Sequence, residues 1–223
     1  MSVIETISQS IQRDLQHLKH LSDNVANVNT PGYQSIQSFD AVVNNQKTYA
    51  HQVISTKLGA IKDSERTLDF AITSQGYFLI EKNDELFATR YGRFHISADG
   101  WLTHVSGGKL LANSGAIHVG SSNVSISEDG SVHIDGKETD QLKLIETQHL
   151  TLGASAGLYS INGPINFLGK VQIKSNAINT SNVDSGEQMT NMINLNRHVQ
   201  SLQKAASAYD QMLNAGINEL GKK

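Results

Sequence analysis

The chain reads as an α+β protein in which long N- and C-terminal helices pair as a coiled coil and flank a central antiparallel all-β domain. Three observations predict this. Apolar residues recur every three or four positions at both ends of the chain, the spacing of one helix face. Through the middle the period falls to two, as in strands with one face buried. Turn pairs such as Asp-Gly punctuate that middle stretch, and between apolar runs they mark hairpins. The expected boundaries are 1–33 for an N-terminal seam helix with an Asn-rich cap, 34–67 for an extended connector, 68–178 for the β domain and 179–223 for a C-terminal seam helix.

At the N-terminal end, Ile4, Ile7, Ile11, Leu15, Leu18, Leu21, Val25 and Val28 form the apolar series. Their mean step is about 3.4 residues, close to a coiled-coil seam. Pro31 pushes Thr30 out of the α region and Gly32 permits a positive φ, so the helix is expected to stop near Val28. Asn24, Asn27 and Asn29 crowd its last turn, although Asn is a mediocre helix former. Such amide density suits a helix that hydrogen-bonds across a crowded interface.

Residues 34–67 are polar and aperiodic apart from a few apolar anchors (Ile36, Phe39, Val42, Val43, Val53, Ile54). A structureless loop of that length is out of place inside a compact domain, so the segment is expected to pack against something else. From Leu68 onward short strand-like runs follow one another, from Tyr77-Phe78-Leu79-Ile80 to Val171-Gln172-Ile173. Asn83-Asp84, Asp99-Gly100, Gly107-Gly108, Ser114-Gly115, Asp129-Gly130 and Asp135-Gly136 separate them. That rhythm implies a small sandwich or barrel-like domain.

From Ser185 to about Leu220 the helical period returns in Met189, Met192, Asn196, Val199, Leu202, Ala206, Tyr209, Leu213, Ile217 and Leu220. Asp184, Ser185 and Glu187 supply capping and acidic groups at its start. A helix of that length runs roughly 54 Å, far longer than the β domain needs. One helix enters the β domain and the other leaves it, so side by side they run antiparallel. Two helices cannot bury two seams fully, and the terminal helices are expected to gain order by packing between subunits.

Composition narrows the function. Hydrophobic residues make up 38% and charged residues 17%, both below the usual globular share. The balance is Asn, Ser, Gln and Thr, which favours hydrogen-bonding surfaces over a large oily core. A net charge of −3 argues against nucleic acid, because counterion release from phosphates needs a basic patch. Without cysteine there are neither disulfides nor thiolate metal sites. The first twenty residues show no basic start and no continuous apolar run, so no cleavable signal peptide is expected. No apolar run is long enough for a lipid-spanning segment.

Four blocks carry a family resemblance. Asn24-Val25-Ala26-Asn27-Val28-Asn29-Thr30-Pro31-Gly32-Tyr33 resembles the Asn-Leu-Ala-Asn-x-Asn-Thr-x-Gly-aromatic signature of bacterial flagellar rod and hook proteins. Leu68-Asp69-Phe70-Ala71-Ile72 with Gln75-Gly76-Tyr77-Phe78 is similar to a second block of that family. Thr89-Arg90-Tyr91-Gly92-Arg93-Phe94 with Asp99-Gly100-Trp101-Leu102 is similar to a third. Ser181-Asn182-Val183, Glu187, Met192-Ile193, Arg197 and Gln211-Met212-Leu213 sit where the C-terminal helix motif has them. The proximal rod type is the nearest in pattern and the distal rod type next. Gln34 stands where a basic residue is usual, and His198-Val199 where an aromatic is typical.

The resemblance implies a structural subunit of the basal-body rod, built through its terminal helices into a helical tube that transmits torque. It implies as partners copies of itself, other rod subunits and the flagellar type III export apparatus, and as location the periplasmic rod. The expected assembly interface is Ile11, Leu15, Leu18, Leu21, Asn24, Val25, Asn27, Asn29, Thr30, Gly32 and Tyr33 at one end. At the other it is Met189, Met192, Ile193, Arg197, Val199, Leu202, Ala206, Tyr209 and Leu213. Another axial protein of the same family is the alternative, and a secreted β-domain binding module a more distant one.

No catalytic, cofactor or metal residue is expected. His17 and His20 share a helix face without a third ligand beside them. Ser201-Leu202-Gln203-Lys204 and Ser22-Asp23-Asn24 imitate penicillin-recognising motifs in reversed order and lack a Lys-Thr-Gly partner. No phosphate loop occurs. Paired carboxylates such as Asp84-Glu85 sit at turns. Arg90 and Arg93 among aromatics read as ordinary cross-strand packing rather than a glycan or nucleic-acid surface.

Overall fold

A computed structural model describes residues 3–43, 47–120, 122–147, 149–153 and 155–220. Helix α1 spans Val3–Ala26 and helix α2 Ser185–Leu220, and the described residues between them form strands and turns. The chain divides into two compact units. The first comprises Met1–Ala26, Ile36–Gln52 and Asp184–Lys223; the second comprises Asn27–Ser35 and Val53–Val183.

In the first unit the two helices lie side by side. The His198 Nδ1 is 2.7 Å from an Asp14 carboxylate oxygen, and Asn24 Nδ2 donates to Gln188 Oε1 at 3.0 Å. Ten residues forward on α1 are thus ten residues back on α2, and the pair is antiparallel. At the start of α2, the Asp184 side chain accepts from the N–H groups of Gly186 and Glu187 at 3.0 and 3.1 Å. It caps two of the donors that every helix start leaves unpaired. Strands Ile36–Val43 and Lys47–Ile54 pair as a two-stranded sheet. The segment 34–67, read from sequence as an extended connector with room for a short helix or strand, carries this pair of strands.

The second unit is antiparallel β throughout. Along its largest sheet the strands run in the order Leu150–Leu152, Leu158–Ile161, Glu85–Thr89, Tyr77–Lys82, Lys109–Ala112, Leu102–His104, Phe94–Ile96. The period-two rule is clearest in Tyr77–Lys82. Phe78 and Ile80 enter one apolar cluster with Phe70, Phe94, Leu102 and Leu110. Tyr77 and Leu79 enter another with Ile54, Ala88, Ile145 and Tyr159. A strand buried on both faces is a run of four apolar residues rather than an alternation. At Asn83-Asp84 both residues have positive φ (53° and 62°), the twist-matching hairpin geometry.

Two departures stand out. The strand-like run Ile117-His118-Val119 holds a single bridge, between Trp101 and His118, and the residues that pair with Lys109–Ala112 are Gly115–Ala116. Lys137–Gln141, polar along its whole length, pairs with Ser131–Ile134 as an exposed edge. An edge strand need not be apolar, so no pattern betrays it.

The stretch Asn27–Ser35 threads into the second unit as a strap. Gly32 N–H donates to Asn179 O at 2.8 Å, Asn182 N–H to Tyr33 O at 3.2 Å, and Ser55 N–H to Ser35 O at 2.9 Å. α1 accordingly ends at Ala26, two residues before Val28, and Thr30 N–H closes the next turn onto Asn27 O at 3.0 Å. Gly32 has φ +69° and lies against the backbone of Arg90 and Tyr91 where a Cβ would collide. Only glycine fits there.

Among the nine histidines, His95 and His118 are exposed, whereas His104 is 2% exposed. Burial pulls its pKa down to about 4, against a smaller opposite pull from the Tyr91 backbone. A histidine held neutral in the fold but free to protonate when unfolded costs stability as pH falls below the unfolded value of about 6.5. We expect stability to drop between about pH 6.5 and pH 4, by about 3 kcal/mol for this group. His104→Leu should flatten that slope in urea unfolding series, and an unchanged slope would refute the assignment.

Candidate assembly surface

Each helix presents one stripe to its partner. On α2 the less exposed positions are Gln188, Met192, Leu195, Val199, Leu202, Ala206 and Tyr209, stepping by four and three in turn. On α1 they include Ile7, Ser10, Asp14, His17, Leu21 and Asn24 with the complementary steps. Four of these six α1 residues are polar, and two of the four are matched from α2: Asp14 by His198 and Asn24 by Gln188.

Asn24 is 1% exposed and does more than bridge the helices. Its Oδ1 accepts the Ile36 N–H at 2.8 Å and its Nδ2 donates to the Ile36 carbonyl at 2.9 Å. The amide copies the pairing a neighbouring strand would offer, and fixes the hairpin to α1. Asn179, 2% exposed, repeats the device on Ile72 at 2.8 and 2.9 Å. Asn182 joins Ser35 N–H, at 2.7 Å, to the Lys57 carbonyl, at 2.8 Å.

The sequence-predicted interface residues fall into three groups. Leu21, Asn24, Gly32, Tyr33 and Val199 are buried. Ile11, Leu18, Val25, Asn27, Thr30, Met192, Leu202, Ala206 and Tyr209 are half-buried. Leu15, Asn29, Met189, Ile193, Arg197 and Leu213 are exposed. Asn27, Asn29, Thr30, Gly32 and Tyr33 belong to the second unit. The α1 stripe also runs to one side of the expected seam, because Asp14 and Asn24 find partners on α2 while Ile4 and Leu15 stay 41% and 50% exposed.

A larger apolar surface lies on α2. The antiparallel register places Val3 opposite Tyr209, so the last turns of α2 extend past the start of α1. This overhang of eleven residues, 210–220, is roughly 16 Å long. It displays Met212, Leu213 and Ile217 at 61%, 42% and 67% exposure, with Met189 and Ile193 exposed nearer the other end. Contiguous exposed apolar side chains of this kind mark interaction sites. The net charge of −3 and the exposed apolar row fit a protein partner better than a polyanion.

The second unit contributes an ion-pair clamp that pattern reading missed. Asp69, fully buried, receives Arg93 Nε at 3.2 Å and Nη2 at 2.9 Å, with Arg66 Nε at 3.5 Å. The side-chain bond from Asp69 leads the causes that raise the Arg93 pKa. The two residues lie in separate motif blocks, Leu68–Ile72 and Thr89–Phe94, and their juxtaposition explains why both blocks carry a charge beside core aromatics.

Comparison with known proteins decides the family. A flagellar basal-body rod protein, FlgG of Bacillus subtilis (strain 168), is 30% identical over 178 residues, covering 71% of this chain and 67% of that one. The chain belongs to the flagellar basal-body rod and hook protein family. Residues 12–34 match the family described as flagella basal body rod protein, and residues 71–134 the FlgE/F/G D1 domain of flagellar hook proteins. Residues 174–220 match the C-terminal family of flagellar basal body rod FlgEFG proteins. The basal-body rod protein FlgF of Rhizobium meliloti (strain 1021) is 30% identical over 142 residues, 59% of each chain. FlgF of Buchnera aphidicola subsp. Baizongia pistaciae (strain Bp) is 25% identical over 94% of both. Within this family member, two of the matched segments fall on α1 and α2.

Replacing Asn24 by Leu should destabilise the chain by about 2–5 kcal/mol, since the N–H and C=O of Ile36 are left unpaired. Asn29→Leu, at an exposed position, should stay within about 0.5 kcal/mol. Urea denaturation of the full chain separates the two, and equal stabilities would show that the Asn24 bonds carry no weight.

Proposed function

We propose that this protein is a structural axial subunit of the flagellar basal-body rod, of the proximal type, built into a helical tube by its terminal helices. The observation that carries the reading is the row of unpartnered apolar side chains along α2, with the overhang beyond Tyr209 as its densest part. In a tube of staggered subunits, the overhang of one copy has the exposed flank of another helix pair beside it. A heterologous contact of that kind does not close on itself and grows by a screw operation. α1 and α2 wrap as a short antiparallel coiled coil, and Leu15, Met189, Ile193 and Leu213 face neighbouring subunits. The buried Asn24, Gly32 and Tyr33 act indirectly, by setting how the chain leaves α1.

The role is mechanical and not enzymatic. Torque passes through many shallow helix contacts, each weak alone and strong in repetition. The subunit lies in the periplasmic rod, leaves the cytoplasm through the type III export apparatus, and meets other rod subunits above and below. Family membership and the similarity to rod proteins named FlgF and FlgG support this reading.

Met212→Asp with Ile217→Asp puts charge on the overhang at its two most exposed large apolar side chains. We expect thermal unfolding of the isolated chain to be unchanged and incorporation into basal bodies, with swimming in soft agar, to be lost. Normal incorporation of that double variant would exclude the overhang as an assembly contact.

A further inference from the structure

The second unit buries a positive charge that no ion pair among the described residues neutralises. Arg90 is 2% exposed, and its guanidinium carbon lies 5.0 Å from the centre of the Tyr77 ring. Its Nη2 donates to Gln75 Oε1 at 3.2 Å, but Nε and Nη1 have no hydrogen-bond partner. Gln34 stands in the same cluster, its Oε1 accepting from Tyr77 O–H at 2.6 Å and its backbone N–H donating to Tyr159 Oη at 2.7 Å. The Gln34 Nε2 is also without an acceptor. Three buried nitrogens, two of the Arg90 guanidinium and one of the Gln34 carboxamide, are thus idle in the cluster that holds Tyr77 and Tyr159, and among the described residues no carboxylate pairs with them. Among the described residues no ion pair involves Arg90.

Such an arrangement is expensive. An unpaired buried ion is strongly destabilising, and each idle buried donor adds to that cost. Contact with the Tyr77 ring and a side-chain hydrogen bond to the same residue offset part of the charge, but leave Nε and Nη1 idle. Burial pulls the Arg90 pKa down, and only the two neutral phenols pull the other way. Neighbouring Arg93 shows the contrast, since Asp69 neutralises it.

We propose that Arg90 and Gln34 hold a small monovalent anion of chloride size in this buried polar cluster. The occupant has to be small, because Gln34, Tyr77, Arg90 and Tyr159 are each at most 3% exposed. It has to be an anion rather than water, because water satisfies donors without neutralising the guanidinium. The anion locks the strap at Gln34 to the sheet strand that begins at Tyr77. Nothing in this inference depends on the rod assignment.

Two measurements on the full chain test it. Crystals grown in sodium bromide should show an anomalous peak within hydrogen-bond distance of Arg90 Nε and Gln34 Nε2. Chloride-35 NMR line broadening should titrate with the protein, and Gln34→Leu should weaken the affinity about tenfold, the effect of one lost donor. Arg90→Met should abolish the broadening; where that variant does not fold, the Gln34→Leu titration and the bromide map decide. An absent bromide peak, with density that refines as water, overturns the proposal, as does identical broadening in wild type and Gln34→Leu.

Discussion

Buried backbone N–H and C=O groups must be paired, and this chain meets that demand at its crossings with asparagine side chains. Asn24 on Ile36 and Asn179 on Ile72 each offer one acceptor and one donor to a single peptide edge, in place of a neighbouring strand. Asn182 ties Ser35 to Lys57. A carboxamide is the shortest side chain that supplies both halves of a strand's pairing. Take these three away and the entry strap, the hairpin and the last strands lose their fixed places.

With its crossings settled internally, the first unit leaves its helices only partly covered. The α1 stripe gives up apolar area to Asp14, His17 and Asn24, so the helix pair is held by matched polar bonds as much as by burial. Isolated helices of this composition are marginal, and α2 outruns its partner by about three turns. Apolar area left open in the single chain is area that contact with a neighbouring subunit can bury, which makes growth favourable.

Local rules were the most legible. The turns at Asn83-Asp84 and Asp135-Gly136 have the positive φ that their residues suggest, and on α2 the spacing of Met192, Val199, Leu202, Ala206 and Tyr209 marks the stripe that faces α1. The α1 face was harder to read, because Asp14 and Asn24 look like surface residues until His198 and Gln188, far along the chain, come beside them. The same distance hid the Asp69–Arg93 clamp. The Asn-rich exit stood out at once, yet its physical task differs by residue. Asn24 bonds within the chain, Asn27 closes a turn with Thr30 at 3.0 Å, and Asn29 is exposed. Within residues 34–67 the length and pairing of the strands were not legible, because a hairpin needs only main-chain pairing and its side chains need not alternate.

Amide hydrogen exchange, compared between the dilute chain and isolated basal bodies, tests the central claim most directly. The account predicts that amides of residues 206–217 exchange readily in the free chain and become strongly protected in the assembly, while the Ile36 and Ile72 amides are protected in both. Equal protection of 206–217 in the two states would mean that α2 is already complete in the monomer, and would contradict it.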